Sequence, residues 1–160
     1  MKSLIVFYSF TDKTKLVAQT IAETLQAELV EIEEAKPRRR GLPTYLIGGF
    51  AAITNRGSKI VPTNVDLKQY DTIFIGSPIW TSRPTPAINS FIYANDFEGR
   101  GVVPFFTMGG NESGKALENI TAKIERSRGK VIGSFAIKSY GSTDDEIIAR
   151  AKAAIKSYGN

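Results

Sequence analysis

Four consecutive apolar residues, Leu4, Ile5, Val6 and Phe7, are followed by a segment whose apolar residues recur every three to four positions. A continuous apolar run marks a strand buried on both faces, as in a parallel sheet covered by helices on either side. The segment that follows, 13–26, places Leu16, Val17, Ala18, Ile21, Ala22 and Leu25 on one helix face. The alternation then recurs. Strands are predicted at 2–8, 29–32, 72–75, 102–107 and 131–137, and helices at 13–26, 86–94, 115–127 and 143–157. Pro104 blemishes the fourth strand, since it has no N–H for a sheet ladder. The last helix carries its own start signal, Thr143 or Asp144 as N-cap with Glu146 in the first turn. Strands alternating with helices predict an α/β fold: one domain over residues 1–160, a doubly wound, five-stranded parallel sheet with right-handed crossovers. In such a sheet ligands bind beyond the carboxyl ends of the strands, at the switch point.

Two absences narrow the chemistry. The chain has no Cys and no His. A disulfide framework, a thiol nucleophile, a Cys-ligated zinc or iron–sulfur cluster, a Ser–His–Asp triad and a flavin attached through His or Cys are all excluded. Any metal would need oxygen ligands alone, and none is expected. Redox chemistry would have to come from a non-covalent organic cofactor. With 160 residues, 42% of them apolar and 23% charged, the composition is that of an ordinary globular chain. The first apolar run is too short for a signal-peptide core. The longest uncharged run, 41–55, is shorter than the roughly 20 apolar residues of a spanning helix. A soluble, cytoplasmic protein is the expectation.

The formal net charge is +5, and its distribution is uneven. Residues 36–60 hold Lys36, Arg38, Arg39, Arg40, Arg56 and Lys59 and no acidic residue. Such a stretch suits an acidic partner, an anionic lipid or a nucleic acid. A run of three arginines without interleaved aromatics is short for a nucleic-acid motif. The reading preferred is therefore a solvated loop, with a docking face for an acidic protein as the alternative and no nucleic acid expected.

Three segments fall at carboxyl ends of predicted strands. The first, SFTDKT over 9–14, is rich in hydroxyls and opens a helix, whose free N–H groups and dipole favour an anion. Lys13 and Lys15 add positive charge there. Neither GxxxxGK[ST] nor GxGxxG is present, so this is not a nucleotide P-loop or a dinucleotide fingerprint. The second, GSPIWTSRPTP over 76–86, holds the chain's one Trp in a loop stiffened by Pro78, Pro84 and Pro86. It suits stacking on a planar heterocycle, or packing of the loop onto the core. The third, TMGGNESGK over 107–115, is small, polar and Gly-rich.

Together these segments resemble the flavodoxin family, through VFYSFTDKTKLVAQTIAE, YDTIFIGSPIWTSRPTPAINSF and VVPFFTMGG. The resemblance runs through nearly the whole chain. It implies a sheet order 2-1-3-4-5 with FMN at the switch point. It implies that Ser9, Thr11, Lys13 and Thr14 surround the phosphate, with Phe10 and Asp12 in the same loop. It implies that Pro78, Ile79, Trp80 and Thr81 line the isoalloxazine after Ser77. Thr107, Met108, Gly109 and Gly110 would border its other side, with Gly114 closing that loop. The chain departs from the family in four respects. Asp12 stands where the phosphate loop usually has Gly. Trp80 is followed by Thr81 and Ser82 where a Gly is common beside the ring aromatic. The third loop has no aromatic residue. The chain is basic, whereas electron-shuttling flavodoxins tend to be acidic.

The function expected from the resemblance is an electron carrier that moves electrons between redox partner proteins through bound FMN, as a monomer or homodimer. The alternative is an FMN-dependent NAD(P)H reductase of quinones or similar planar acceptors, with Tyr45 and Phe50 as part of a substrate wall. A module that has lost its cofactor is the third and weakest reading.

Overall fold

A computed structural model describes residues 1–36, 57–110 and 113–158. The predicted basic cluster Arg38, Arg39, Arg40 and Arg56, with Tyr45 and Phe50, lies outside the described residues. The strands are β1 (Ser3–Phe7), β2 (Glu28–Glu31), β3 (Thr72–Pro78), β4 (Gly101–Met108), β5 (Lys130–Val131) and β6 (Phe135–Lys138). The helices are α1 (Lys13–Leu25), α2 (Pro86–Ala94), α3 (Gly114–Arg126) and α4 (Asp144–Ala154). The sheet order is β2-β1-β3-β4-β5, with β6 also paired to β4. Every pairing is parallel.

The apolar runs are explained by a core on each face. In β1, Leu4 and Val6 join one cluster while Ile5 and Phe7 join the other. In β4, Val102 and Phe106 face the first and Val103 and Phe105 the second. Ala87, Ile88, Phe91 and Ile92 of α2 and Ala116, Ile120 and Ile124 of α3 cover the first face. Val17, Ala18 and Ile21 of α1 and Ile147 and Ala151 of α4 cover the second. Each fully buried aliphatic or Phe side chain contributes roughly 1.5–3 kcal/mol relative to exposure.

The fifth strand position is split, unlike the single strand the sequence predicts. Val102 pairs with Val131 and Phe105 with Phe135, so residues 131–135 span one residue more than 102–105 opposite. The break lies beside Pro104, which has no N–H to offer a neighbour. The ladder is interrupted there and the edge bulges.

The connection from β2 to β3 begins and ends side by side. Ala35 N–H donates to Lys59 C=O at 2.8 Å, and Val61 N–H donates to Glu33 C=O at 2.8 Å. The returning arm rests on α2, where Ser90 Oγ donates to Ser58 C=O at 2.6 Å. At the other end of the chain, Thr143 and Glu146 form a reciprocal capping box that starts α4.

Candidate functional site

A cavity of about 620 Å³ opens at the carboxyl ends of the strands. That is within the usual size of small-molecule sites. Four loops wall it, those after β1, β3, β4 and β6. The first three were singled out in the sequence. Of the residues named there, Phe10, Thr11, Lys13, Pro78, Ile79, Trp80, Thr81, Thr107, Met108 and Gly109 line the cavity. The fourth wall, Ser139, Tyr140, Gly141 and Ser142, was not foreseen. Its signal in the sequence is a Tyr-Gly pair directly after the last strand, the position equivalent to the other three loops.

The loops are tied together by continuation of the parallel ladder. Ile79 N–H donates to Thr107 C=O at 3.0 Å, and Ser139 N–H donates to Met108 C=O at 2.9 Å. Because β3 and β6 flank β4, Trp80 and Tyr140 come from opposite sides of the β4 loop. Tyr140 is 78% exposed. Gly141, at φ 71°, turns the chain behind it. Arg150 secures that turn, donating to Lys138 C=O at 2.9 Å and to Ser142 Oγ at 2.7 Å.

Trp80 is half-buried and held by ring edges. Tyr8 meets it at 6.0 Å and 90°, and Phe10 at 5.6 Å and 89°. Tyr8 in turn donates its hydroxyl to Glu34 Oε2 at 3.2 Å. Trp80 and Arg83 exchange backbone hydrogen bonds of 2.9 and 3.0 Å around a two-residue turn. Its central residues, Thr81 and Ser82, have φ of 51° and 60°. This geometry favours Asn-Gly, and holding other residues left-handed costs of order 1–3 kcal/mol each.

Several named residues support the site instead of lining it. Ser77 is buried beneath the second loop, where its Oγ accepts from Thr85 N–H at 2.9 Å. Ser9 Oγ accepts from Lys15 N–H at 3.2 Å, so Ser9 caps the start of α1. Asp12 adopts the left-handed conformation that glycine would favour, at φ 65°, and its side chain makes no capping bond. Gly110 and Gly114 stand outside the lining, with open space where a Cβ would project. Both lysines proposed for an anion are engaged by carboxylates. Lys13 Nζ lies 2.8 Å from Asp144, and Lys15 Nζ lies 2.8 Å from Glu31. The Glu31 hydrogen bond and charge raise the Lys15 ammonium above its ordinary value. What the first loop offers an anion is the exposed Thr11 hydroxyl, the Lys13 charge shared with Asp144, and the first N–H groups of α1.

Thr14 is buried, and its Oγ1 lies 2.7 Å from Thr107 Oγ1. This bond pins the first loop to the third from below. Replacing Thr14 by valine strands the Thr107 hydroxyl, a loss of about 1–3 kcal/mol. The Thr14→Val, Thr107→Val double variant should recover much of it. A thermal-denaturation double-mutant cycle showing simple additivity would contradict the pairing.

A family model described as flavodoxin matches residues 51–140, more than half of the chain. The chain belongs to the flavodoxin family. Among curated relatives, this flavodoxin is 25% identical over 159 residues to the flavodoxin-like domain-containing protein BilS of Clostridioides difficile, covering 98% of this chain and 75% of that one. Among solved structures it is similar to a flavoprotein from Lactobacillus acidophilus NCFM, crystallised in complex with FMN. The identity is 24%, the TM-score 0.75, and the coverage 94% of this chain and 98% of that one. A flavodoxin, WrbA-like protein from Agrobacterium tumefaciens superposes with a TM-score of 0.62 at 17% identity, covering 96% and 92%. The structural likenesses establish the fold. Among the described residues no helix is long and apolar enough to cross a membrane, and no group of three or more acidic residues is placed to hold a metal.

Proposed function

We propose that this flavodoxin binds one FMN without covalent attachment and passes electrons between redox partners through it. The observation that carries this reading is one cavity that combines the Trp80 and Tyr140 rings with a polar, hydroxyl-bearing end. Trp80 and Tyr140 stand on either side of the β4 loop, suited to a planar ring. Thr11, Lys13 and the start of α1 lie at the same cavity, suited to a phosphate. The residues present therefore fit FMN. Bound there, FMN supplies one- and two-electron redox chemistry that no side chain of this chain offers. Ser9, Thr14 and Ser77 hold the three loops in place, while Trp80 and Tyr140 orient the ring and limit water around it.

The purified protein should be yellow and should release about one FMN per chain on heating, as a single switch point implies. The same protein stripped of flavin should take FMN up again. A chain that neither releases FMN nor takes it up would end this reading. Thr11→Ala should weaken FMN more than riboflavin, which has no phosphate, and equal losses would place the phosphate elsewhere.

An NAD(P)H reductase of planar acceptors is the second reading. It is favoured by a further cavity beside the Trp80–Arg83 turn, which gives a small reactant somewhere to sit. Steady-state NAD(P)H oxidation with a quinone separates the two: a carrier turns over slowly without its partner protein, and a reductase does not need one.

A further inference from the structure

A second cavity of about 670 Å³ lies against the Trp80–Arg83 turn. Among the described residues its lining is Thr81, Ser82 and Arg83 from the turn and Lys115, Glu118 and Asn119 from α3. Thr81 borders both cavities, so the turn that presents Trp80 to the first one is also a wall of the second.

Among the described residues neither Arg83 nor Lys115 has a carboxylate partner. The two cations come from different elements and meet at one concave site. Among the described residues Glu118 is the single acidic residue of the lining, and their net charge is positive. Asn119 is oriented by a group beneath it, because the buried Lys123 Nζ donates to Asn119 Oδ1. That bond occupies the amide oxygen, so the Asn119 NH₂ group remains as a donor. Burial, and then the cations of Arg83 and Arg126, push the Lys123 ammonium down to about 8.

We infer that this second cavity binds the anionic group, phosphate, sulfonate or carboxylate, of a small redox reactant whose ring reaches the flavin past the Thr81–Ser82 turn. The inference rests on the FMN site proposed above for the identity of the reactant, though not for the binding of the anion. A concave site of this volume suits a small molecule better than the flat surface of a protein partner. Arg83 supplies a planar fork that matches an oxyanion, and Lys115 a mobile point charge.

The test is calorimetric titration of the FMN-loaded protein with sodium pyrophosphate, NADPH and anthraquinone-2-sulfonate, with uncharged menadione as the control. At least one of the two anionic reactants, NADPH or anthraquinone-2-sulfonate, should bind, and the one that does tells a nucleotide phosphate from an anionic acceptor. In Arg83→Ala, Lys115→Ala that affinity should fall by about tenfold or more, the scale of charge-assisted hydrogen bonds. FMN affinity should stay within about twofold, since neither residue lines the first cavity. Arg126→Ala, outside the lining, should bind as the parent does, and Arg83→Lys should recover part of the loss. The inference is overturned if neither anionic reactant binds, if the double variant binds them unchanged, or if it loses FMN instead. Pyrophosphate binding that depends on Arg83 and Lys115 in a protein unable to take up FMN would keep the anion site and reject the flavin reading.

Discussion

Replacing Trp80 by alanine is expected to weaken FMN binding by about 1–3 kcal/mol, roughly 5- to 150-fold in Kd. The estimate is that of stacking a planar base on an aromatic side chain. The structure adds why the indole is a good platform. Two perpendicular rings, Tyr8 and Phe10, brace its edges. A closed two-residue turn fixes its backbone. Little side-chain freedom is left to lose when a ligand arrives. Trp80→Phe should retain a larger share of the affinity than Trp80→Ala. Riboflavin should lose as much as FMN, because the ring and not the phosphate is affected. Titration of flavin fluorescence measures each of these affinities. If FMN affinity and quenching are the same in Trp80→Ala as in the parent, the indole only packs the loop.

The second large effect concerns stability. Gly76 sits in β3, directly before the loop that carries Trp80. A Cβ built there would lie 2.2 Å from the tip of the Phe105 ring. Phe105 is fully buried and stacks on Phe135 at 5.5 Å with ring planes 9° apart, so its ring has nowhere to go. Gly76→Ala should cost about 1–3 kcal/mol as an overpacked core position, and Gly76→Val more. For a chain of this size each kcal/mol lowers Tm by about 2–4 °C. Phe105→Leu shortens the group that clashes. In the Gly76→Ala background it should therefore cost less than it does alone. Equal costs in the two backgrounds would mean that the strand rearranges rather than the ring. Flavin affinity should fall with stability here, since Ser77 and Pro78 follow at once.

Much of the fold was legible because burial on two faces leaves an unambiguous trace. The runs at 4–7 and 72–75 read as strands, the second stopped by Gly76 and Pro78. The helix faces read by their spacing, and Thr143 with Glu146 marked a helix start. What did not read was anything set by a missing donor or by a neighbour distant in sequence. Pro104 was visible as a blemish, but its effect falls on the adjacent edge, where the fifth strand divides. Thr14 looked like a phosphate ligand because hydroxyls look alike in a sequence. Its bond to Thr107 depends on a residue 93 positions away. Lys13 and Lys15 looked like free charges for the same reason, until Asp144 and Glu31 were placed beside them. Tyr140 escaped notice because the stretch after the fifth predicted strand, at 131–137, reads first as the start signal of the last helix, Thr143 with Glu146. The strained turn at Thr81 and Ser82 breaks the rule that such positions take Asn or Gly. A departure of that kind is expected where a loop is shaped for a ligand.

The paired arms at Glu33, Ala35, Lys59 and Val61 join the two ends of the chain between β2 and β3. Both arms are hydrogen-bonded to each other, and the returning one also to α2. The described framework therefore holds both ends of that chain together. For a loop already closed in this way, doubling its length adds only about 0.6 kcal/mol of entropy. A change of length between the arms therefore carries only a small cost of closure. Tyr8 places that junction two contacts from the indole, through Glu34 on one side and Trp80 on the other.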